Sequence, residues 1–192
     1  MNALSKTLIN ENDFTFDSFE VDSRNRLAYL AAVDVANTPD TPFNPLLLYG
    51  KRYDGKTHLL KAMEWHIRST NPGANVIYTT AKDFYCEYLE EARTGEMHML
   101  NVFREKYRNT DVLIMDDIDF LSGKSVFDQY YYPFLGELCT PLEEFFYTFE
   151  TVHTRGKRIV LASNRPPKEL GDLDEMFGGR LEMGLVIGLR CG

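Results

Sequence analysis

The run Gly50-Lys51-Arg52-Tyr53-Asp54-Gly55-Lys56-Thr57, directly behind the apolar residues Leu46-Leu47-Leu48-Tyr49, constrains this chain more than any other stretch. Glycine, four residues, then Gly-Lys-Thr is the spacing of a phosphate-binding loop, and a buried strand before it and a helix after it are the context such a loop needs. Backbone N–H groups and a helix N-terminus would surround a polyphosphate, Lys56 would reach the terminal phosphates, and the Thr57 hydroxyl would ligate magnesium. A second run, VLIMDDIDF from Val112 to Phe120, reads as a buried strand ending in two acids. Asp116 would hold the same metal, often through water, and Asp117 would orient the attacking water. Each run has a plainer reading as well: the spacing arises by chance, and a strand ending in Asp-Asp is often only a strand end meeting solvent. Together, at the expected separation, they favour a nucleotide.

The rest of the chain alternates strand and helix. Leu59, Leu60, Met63 and Ile67 recur at helical spacing over 57–68, and Asn71-Pro72-Gly73 stops that helix. A strand over 75–79 follows, then two amphipathic helical stretches, 81–92 and 97–107, parted by Thr94-Gly95. After the strand 112–116 come a helix over 143–153, a strand over 158–163 closed by Asn164-Arg165-Pro166-Pro167, a helical segment over 172–177 and an apolar run over 184–189. Such alternation implies a mainly parallel sheet covered on both faces, with ligands at the carboxyl ends of its strands. Gly50 to Thr57, Asp116, Asp117 and Asn164 all fall there.

Composition narrows the partners. The 192 residues, 44% hydrophobic, support one substantial core, so a single domain over 1–192 is expected. Three cysteines and four scattered histidines have no metal-ligand spacing, and no apolar stretch is long enough to span a bilayer, so the expectation is a cytoplasmic chain with no membrane contact. A net charge of −8 opposes nonspecific nucleic-acid binding, which depends on clustered Lys and Arg.

Several segments in order resemble a known family: FTFDSFEVDSRNRLAYLAAVDVA, NPLLLYG leading into GKTHLLKAM, KYRNTDVLIMDDIDFLSGK, EEFFYTFETVH, IVLASNRPPKEL and GRLEMGL. The chain resembles the AAA+ ATPase domain of the bacterial replication initiator DnaA. The resemblance implies an α/β P-loop NTPase fold, a three-layer sandwich with a five-stranded parallel sheet in which the Val112 strand lies between the Asn75 and Arg158 strands. It implies ATP or ADP with Mg2+ as cofactors, nucleotide contacts at Gly50, Gly55, Lys56, Thr57 and His58, and metal contacts at Thr57 and Asp116. Asp117 and Asn164 take the water-positioning and sensor roles, although the family often has Asp at the latter position. Arg180 matches the arginine that a neighbouring subunit presents to ATP, which implies self-association through the nucleotide interface and replication proteins as partners. FTFDSF is expected as an N-terminal strand passing by the adenine. Leu89 and Lys124 match single-stranded DNA contacts, but Glu87, Glu90 and Glu91 surround the first, so weak DNA binding or none is expected of this chain alone.

Three departures weigh against a full transfer of function. The family loop reads GGVGLGKTH, and here Tyr53 stands where a middle glycine permits positive φ, while Asp54 brings a like charge to the phosphates. Residues 125–142 form an aromatic-rich insertion with Tyr130-Tyr131-Tyr132-Pro133-Phe134, read either as a partner surface or as packing onto its own domain. The sequence ends at Gly192, which leads to the expectation of a core without the family's lid and helix-turn-helix domains. Two functions stay open: a slow regulatory ATPase acting through nucleotide-dependent assembly, or a nonhydrolytic adaptor, scaffold or helicase-loader-like module.

Overall fold

β1 (Leu46–Tyr49), β3 (Val112–Asp116) and β4 (Arg158–Ser163) are apolar at nearly every position and almost wholly buried, which fits strands covered on both faces. In the computed structural model, which describes residues 14–123 and 138–190, they form the middle of a five-stranded sheet with β2 (Val76–Thr80) and β5 (Leu185–Gly188). The order is β2-β3-β4-β1-β5, and every pairing is parallel. The expected placement of the Val112 strand, between those of Asn75 and Arg158, is therefore the observed one.

Alternation along each strand sends side chains to two cores. Leu46, Leu48, Val112, Ile114, Val160 and Ala162 meet α1 (Arg26–Asn37) and α2 (Lys56–Thr70) on one face. Leu47, Leu113, Met115, Ile159 and Leu161 meet α3 (Ala81–Arg93), α4 (Met97–Arg108), α5 (Pro141–Thr154) and α6 (Asp172–Phe177) on the other. Each such aliphatic side chain contributes about 1.5–3 kcal/mol on burial, so the sheet centre anchors the fold.

Helix starts carry local signals. Thr140 caps α5 by accepting the Glu143 N–H at 3.2 Å, while the Glu143 carboxylate accepts the Thr140 N–H at 2.6 Å, and Pro141 occupies the first turn. The helix thus begins before the expected Glu143. Thr80 caps α3 through the Asp83 N–H at 3.0 Å. Between α4 and α5, the fully buried Glu144 accepts Arg104 Nη2 at 2.9 Å and also pairs with Arg108.

Two expectations are corrected. Residues 14–19 form a turn, not a strand: Ser18 and Thr15 bond each other across it, with the Ser18 N–H donating to Thr15 Oγ1 at 3.2 Å, so these polar side chains take the place of a strand ladder. Leu89 is 4% exposed within the α3–α4 core, so its side chain is not presented to a nucleic acid. The apolar face of α3 takes it inward, and nearby Glu87 is engaged by Lys106 at 2.7 Å and by the Tyr107 hydroxyl at 2.7 Å. Lys124 and the aromatic run of the insertion lie outside the described residues.

Candidate nucleotide site

The sheet register assembles the site. β1 pairs with β4, so the loop leaving Tyr49 starts beside Ser163, and the Gly50 N–H donates to the Ser163 carbonyl at 3.1 Å. β3 pairs with β4 on its other side, which brings the acids after Met115 next to Asn164. Gly50 must be glycine, because a Cβ there would lie 2.3 Å from the Leu189 carbonyl oxygen.

Lys56 opens α2 and is buried. Its ammonium donates to Gly50 O at 2.8 Å, Lys51 O at 2.8 Å and Asn164 Oδ1 at 3.0 Å, which uses all three of its N–H groups. Gly55, at φ 89°, turns the chain into the helix. The Thr57 hydroxyl donates to Asp116 Oδ2 at 2.6 Å, and the Tyr78 hydroxyl reaches the same oxygen at 3.3 Å. Asp116 Oδ1 accepts the Asp117 N–H at 2.8 Å. Asp117 itself has φ 53°, and Asn164 Nδ2 donates to its carboxylate at 3.2 Å. Lys56, Thr57, Asp116, Asp117 and Asn164 are thus one hydrogen-bonded array drawn from the ends of β1, β3 and β4.

Burial pushes the Asp117 carboxyl above its ordinary value, and the charges of Asp116 and Asp119 push it the same way. Burial also raises the Tyr78 phenol, reinforced by Asp116. A hydroxyl and a carboxylate are hard oxygen donors of the kind magnesium takes, and the Thr57–Asp116 contact puts both within reach of one cation. Among the described residues no His, Cys, Asp and Glu group could hold a metal by itself, so a magnesium ion here would take its other ligands from phosphate and water.

The loop differs from its neighbours. Tyr53 adopts φ 71° with its ring 88% exposed, a conformation that costs a non-glycine residue about 1 kcal/mol or more. The strain expected from its sequence position is present. Asp54 turns inward, its carboxylate accepting the Lys51 N–H at 2.7 Å, so one backbone donor of the loop serves an internal anion.

His58 is engaged by the segment before α1. Its Nε2 lies 2.9 Å from the Thr15 carbonyl and 3.2 Å from the Ser18 hydroxyl, and its ring meets Phe14 and Phe19 edge-on, so it pins the segment before α1. Arg180 stands with α5 and α6: it pairs with Glu150 at 2.7 Å, donates to the Phe177 carbonyl at 3.1 Å and lies over the Phe146 ring. None of these contacts reaches Lys56 or Asp116.

Two members of the site escaped the sequence reading. Tyr78 sits mid-strand, where an aromatic signals only packing. Asp119 is the third acid of the DDID run, and it accepts the Asn164 N–H at 2.9 Å. The run of acids was visible, but only the sheet pairing shows which side chain the third one meets.

The family model of the bacterial DnaA ATPase domain matches residues 10–188. Domain III of the Thermotoga maritima replication initiation protein DnaA is 35% identical, with a TM-score of 0.79 over 93% of this chain and 67% of that one. A replication initiator DnaA bound to AMPPCP and single-stranded DNA is 31% identical, with a TM-score of 0.78 over 94% of this chain and 50% of that one. The DnaC helicase loader, 16% identical with a TM-score of 0.71 over 94% of this chain and 98% of that one, shares the fold. The chain spans about half the length of several of the DnaA structures it matches. With the family model matched over most of its length and a 35% identical DnaA domain III covering nearly all of it, the chain belongs to the family of bacterial DnaA ATPase domains.

Proposed function

We propose that this chain is a cytoplasmic AAA+ nucleotide-binding module of replication initiation, which binds ATP or ADP with Mg2+ and acts through nucleotide-dependent self-assembly with slow, regulatory hydrolysis. The observation that carries this reading is the single array of Lys56, Thr57, Asp116, Asp117 and Asn164. Lys56 would exchange its loop carbonyls for phosphate oxygens, Thr57 and Asp116 would hold the metal, and Asp117 with Asn164 would orient water. Bound magnesium would supply charge neutralisation between the phosphates. Arg180, partly exposed and paired with Glu150, suits a role toward the nucleotide of a neighbouring copy. The relative bound to AMPPCP and single-stranded DNA supports a nucleotide ligand; for this chain alone, DNA binding is expected to be weak, because Leu89 is buried and the net charge is −8.

A second reading, a nonhydrolytic adaptor or helicase-loader-like scaffold, is favoured by one observation: strained Tyr53 and inward Asp54 occupy the part of the loop that would wrap the phosphates. Titration with fluorescent ATP and ADP, with and without magnesium, separates the two. Saturable binding strengthened by magnesium and abolished by Lys56→Ala supports the first reading; binding of neither nucleotide overturns it. Turnover at low protein concentration is expected near background, because displacing a reacting group by about 1 Å lowers a rate ~100-fold. Rapid turnover abolished by Lys56→Ala would show that the loop is a competent catalytic site.

A further inference from the structure

We propose that Asp119 is a positioning residue for Asn164, fixing which end of its amide faces Lys56; this rests on the nucleotide-site reading above. Asp119 lies on the tight helical turn Ile118–Ser122, which is held between the buried side chains Ile118 and Leu121. The Phe120 N–H donates to Asp117 O at 3.0 Å, and the Ser122 hydroxyl donates to Asp119 O at 2.7 Å, so the carboxylate has a fixed base. From β4 it receives the Asn164 N–H at 2.9 Å, Asn164 Nδ2 at 3.2 Å on each oxygen, and the Ser163 hydroxyl at 3.4 Å.

An ionised carboxylate only accepts hydrogen bonds, whereas an amide has a donor end and an acceptor end. The NH2 of Asn164 must therefore face Asp119 and Asp117, and its carbonyl is left for the Lys56 ammonium at 3.0 Å. Reversed, the amide would set oxygen against carboxylate and NH2 against ammonium. Hydrogen bonds to a charged group favour the observed orientation by roughly 10- to 100-fold. The same geometry accounts for an amide at position 164: the negative charge of this corner is already supplied by Asp119. An acid at 164 would place its oxygens beside Asp119 and Asp117 with no proton between them.

The reciprocal exchange tests this. ATP affinity is measured by fluorescent titration for wild type, Asn164→Asp, Asp119→Asn and the double variant carrying both. Asn164→Asp is expected to weaken ATP binding about 10-fold, and the double variant to return to within about 3-fold of wild type, since one acid and one amide again face each other. In nucleotide-free protein, the Asn164 side-chain NH2 is followed by NMR: its hydrogen exchange should be about 10-fold faster in Asp119→Asn than in wild type. A neutral Asn164→Asp, a double variant no better than that single one, or unchanged exchange in Asp119→Asn would each overturn the assignment. Wild type that binds no nucleotide would sink the nucleotide reading instead, and the exchange measurement on the empty protein would still decide the role of Asp119.

Discussion

Two charged clusters, one between helices that cover a face of this sheet and one at the ends of its strands, are put together by opposite rules. Between α4 and α5, two arginines close on one fully buried carboxylate, Glu144, and each arginine side chain is about three-quarters buried. At the strand ends, three acids, Asp116, Asp117 and Asp119, gather around one lysine, with Thr57 and Asn164 filling the gaps. The first cluster has a cation for each carboxylate oxygen and serves as a strut. The second has a surplus of negative charge beside a lysine whose partners are mostly neutral carbonyls, which suits it to receive a metal and exchange partners. In the first cluster the one carboxylate is fully engaged by cations; in the second the carboxylates outnumber the cation.

The largest effect should come from breaking the matched cluster. Glu144→Ala would leave two guanidinium groups facing each other without their carboxylate, at a cost of about 3–5 kcal/mol in urea unfolding. A loss below about 1 kcal/mol would mean the triad is no strut. One turn further along α5, the buried Thr148 hydroxyl has no partner among the described residues. Thr148→Val, which keeps the shape, should raise stability by up to about 1 kcal/mol, and a destabilised valine variant in the same assay would reveal a hidden partner.

On the unmatched side, stability effects should be smaller and binding effects larger. Tyr53→Gly relieves the left-handed backbone, but glycine's freedom in the unfolded chain returns part of the gain, so the net change should stay below about 1 kcal/mol. Its ATP affinity should rise instead, and equal affinity in the two proteins would remove Tyr53 as the cause of a weak loop. The least effect is on pH dependence. Because the folded-state Asp117 carboxyl titrates above 3.8, the folded form holds that proton more tightly than the unfolded chain. The site therefore loses stability as pH rises from the ordinary carboxylate value through the raised one, and Asp117→Asn should flatten that decline in thermal melts. An unchanged slope would show that the crowding of acids is relieved elsewhere.

Much of this was legible in the sequence because it is periodic or local. Val112–Asp116 and Arg158–Ser163 are strands with the expected bounds, since an apolar run ending in turn residues leaves little choice. The positive φ of Tyr53 followed from its place in the loop. What was not legible depended on neighbours far along the chain. His58 stands next to the loop in sequence, yet the aromatic segment before α1 claims its ring. Leu89 matched a single-stranded DNA contact of the family, but helical phase turns it into the core. Asp119 gained its role only when β4 came to lie beside β3. Thr140-Pro141-Leu142-Glu143 was a readable cap, and the reading of 125–142 as an insertion hid the earlier start.

The contact between Gly50 and Leu189 has a consequence for the order of events during synthesis. The wall against which the phosphate loop is shaped comes from residues far downstream, at the end of β5: Leu189 N–H donates to Tyr49 O at 2.6 Å, and its carbonyl sets the space that only a glycine fits. A nascent chain paused after β4 would carry Lys56, Thr57, Asp116 and Asn164, yet its loop would have no back. The shape of the phosphate loop is therefore settled only once a strand made long after it has docked beside β1.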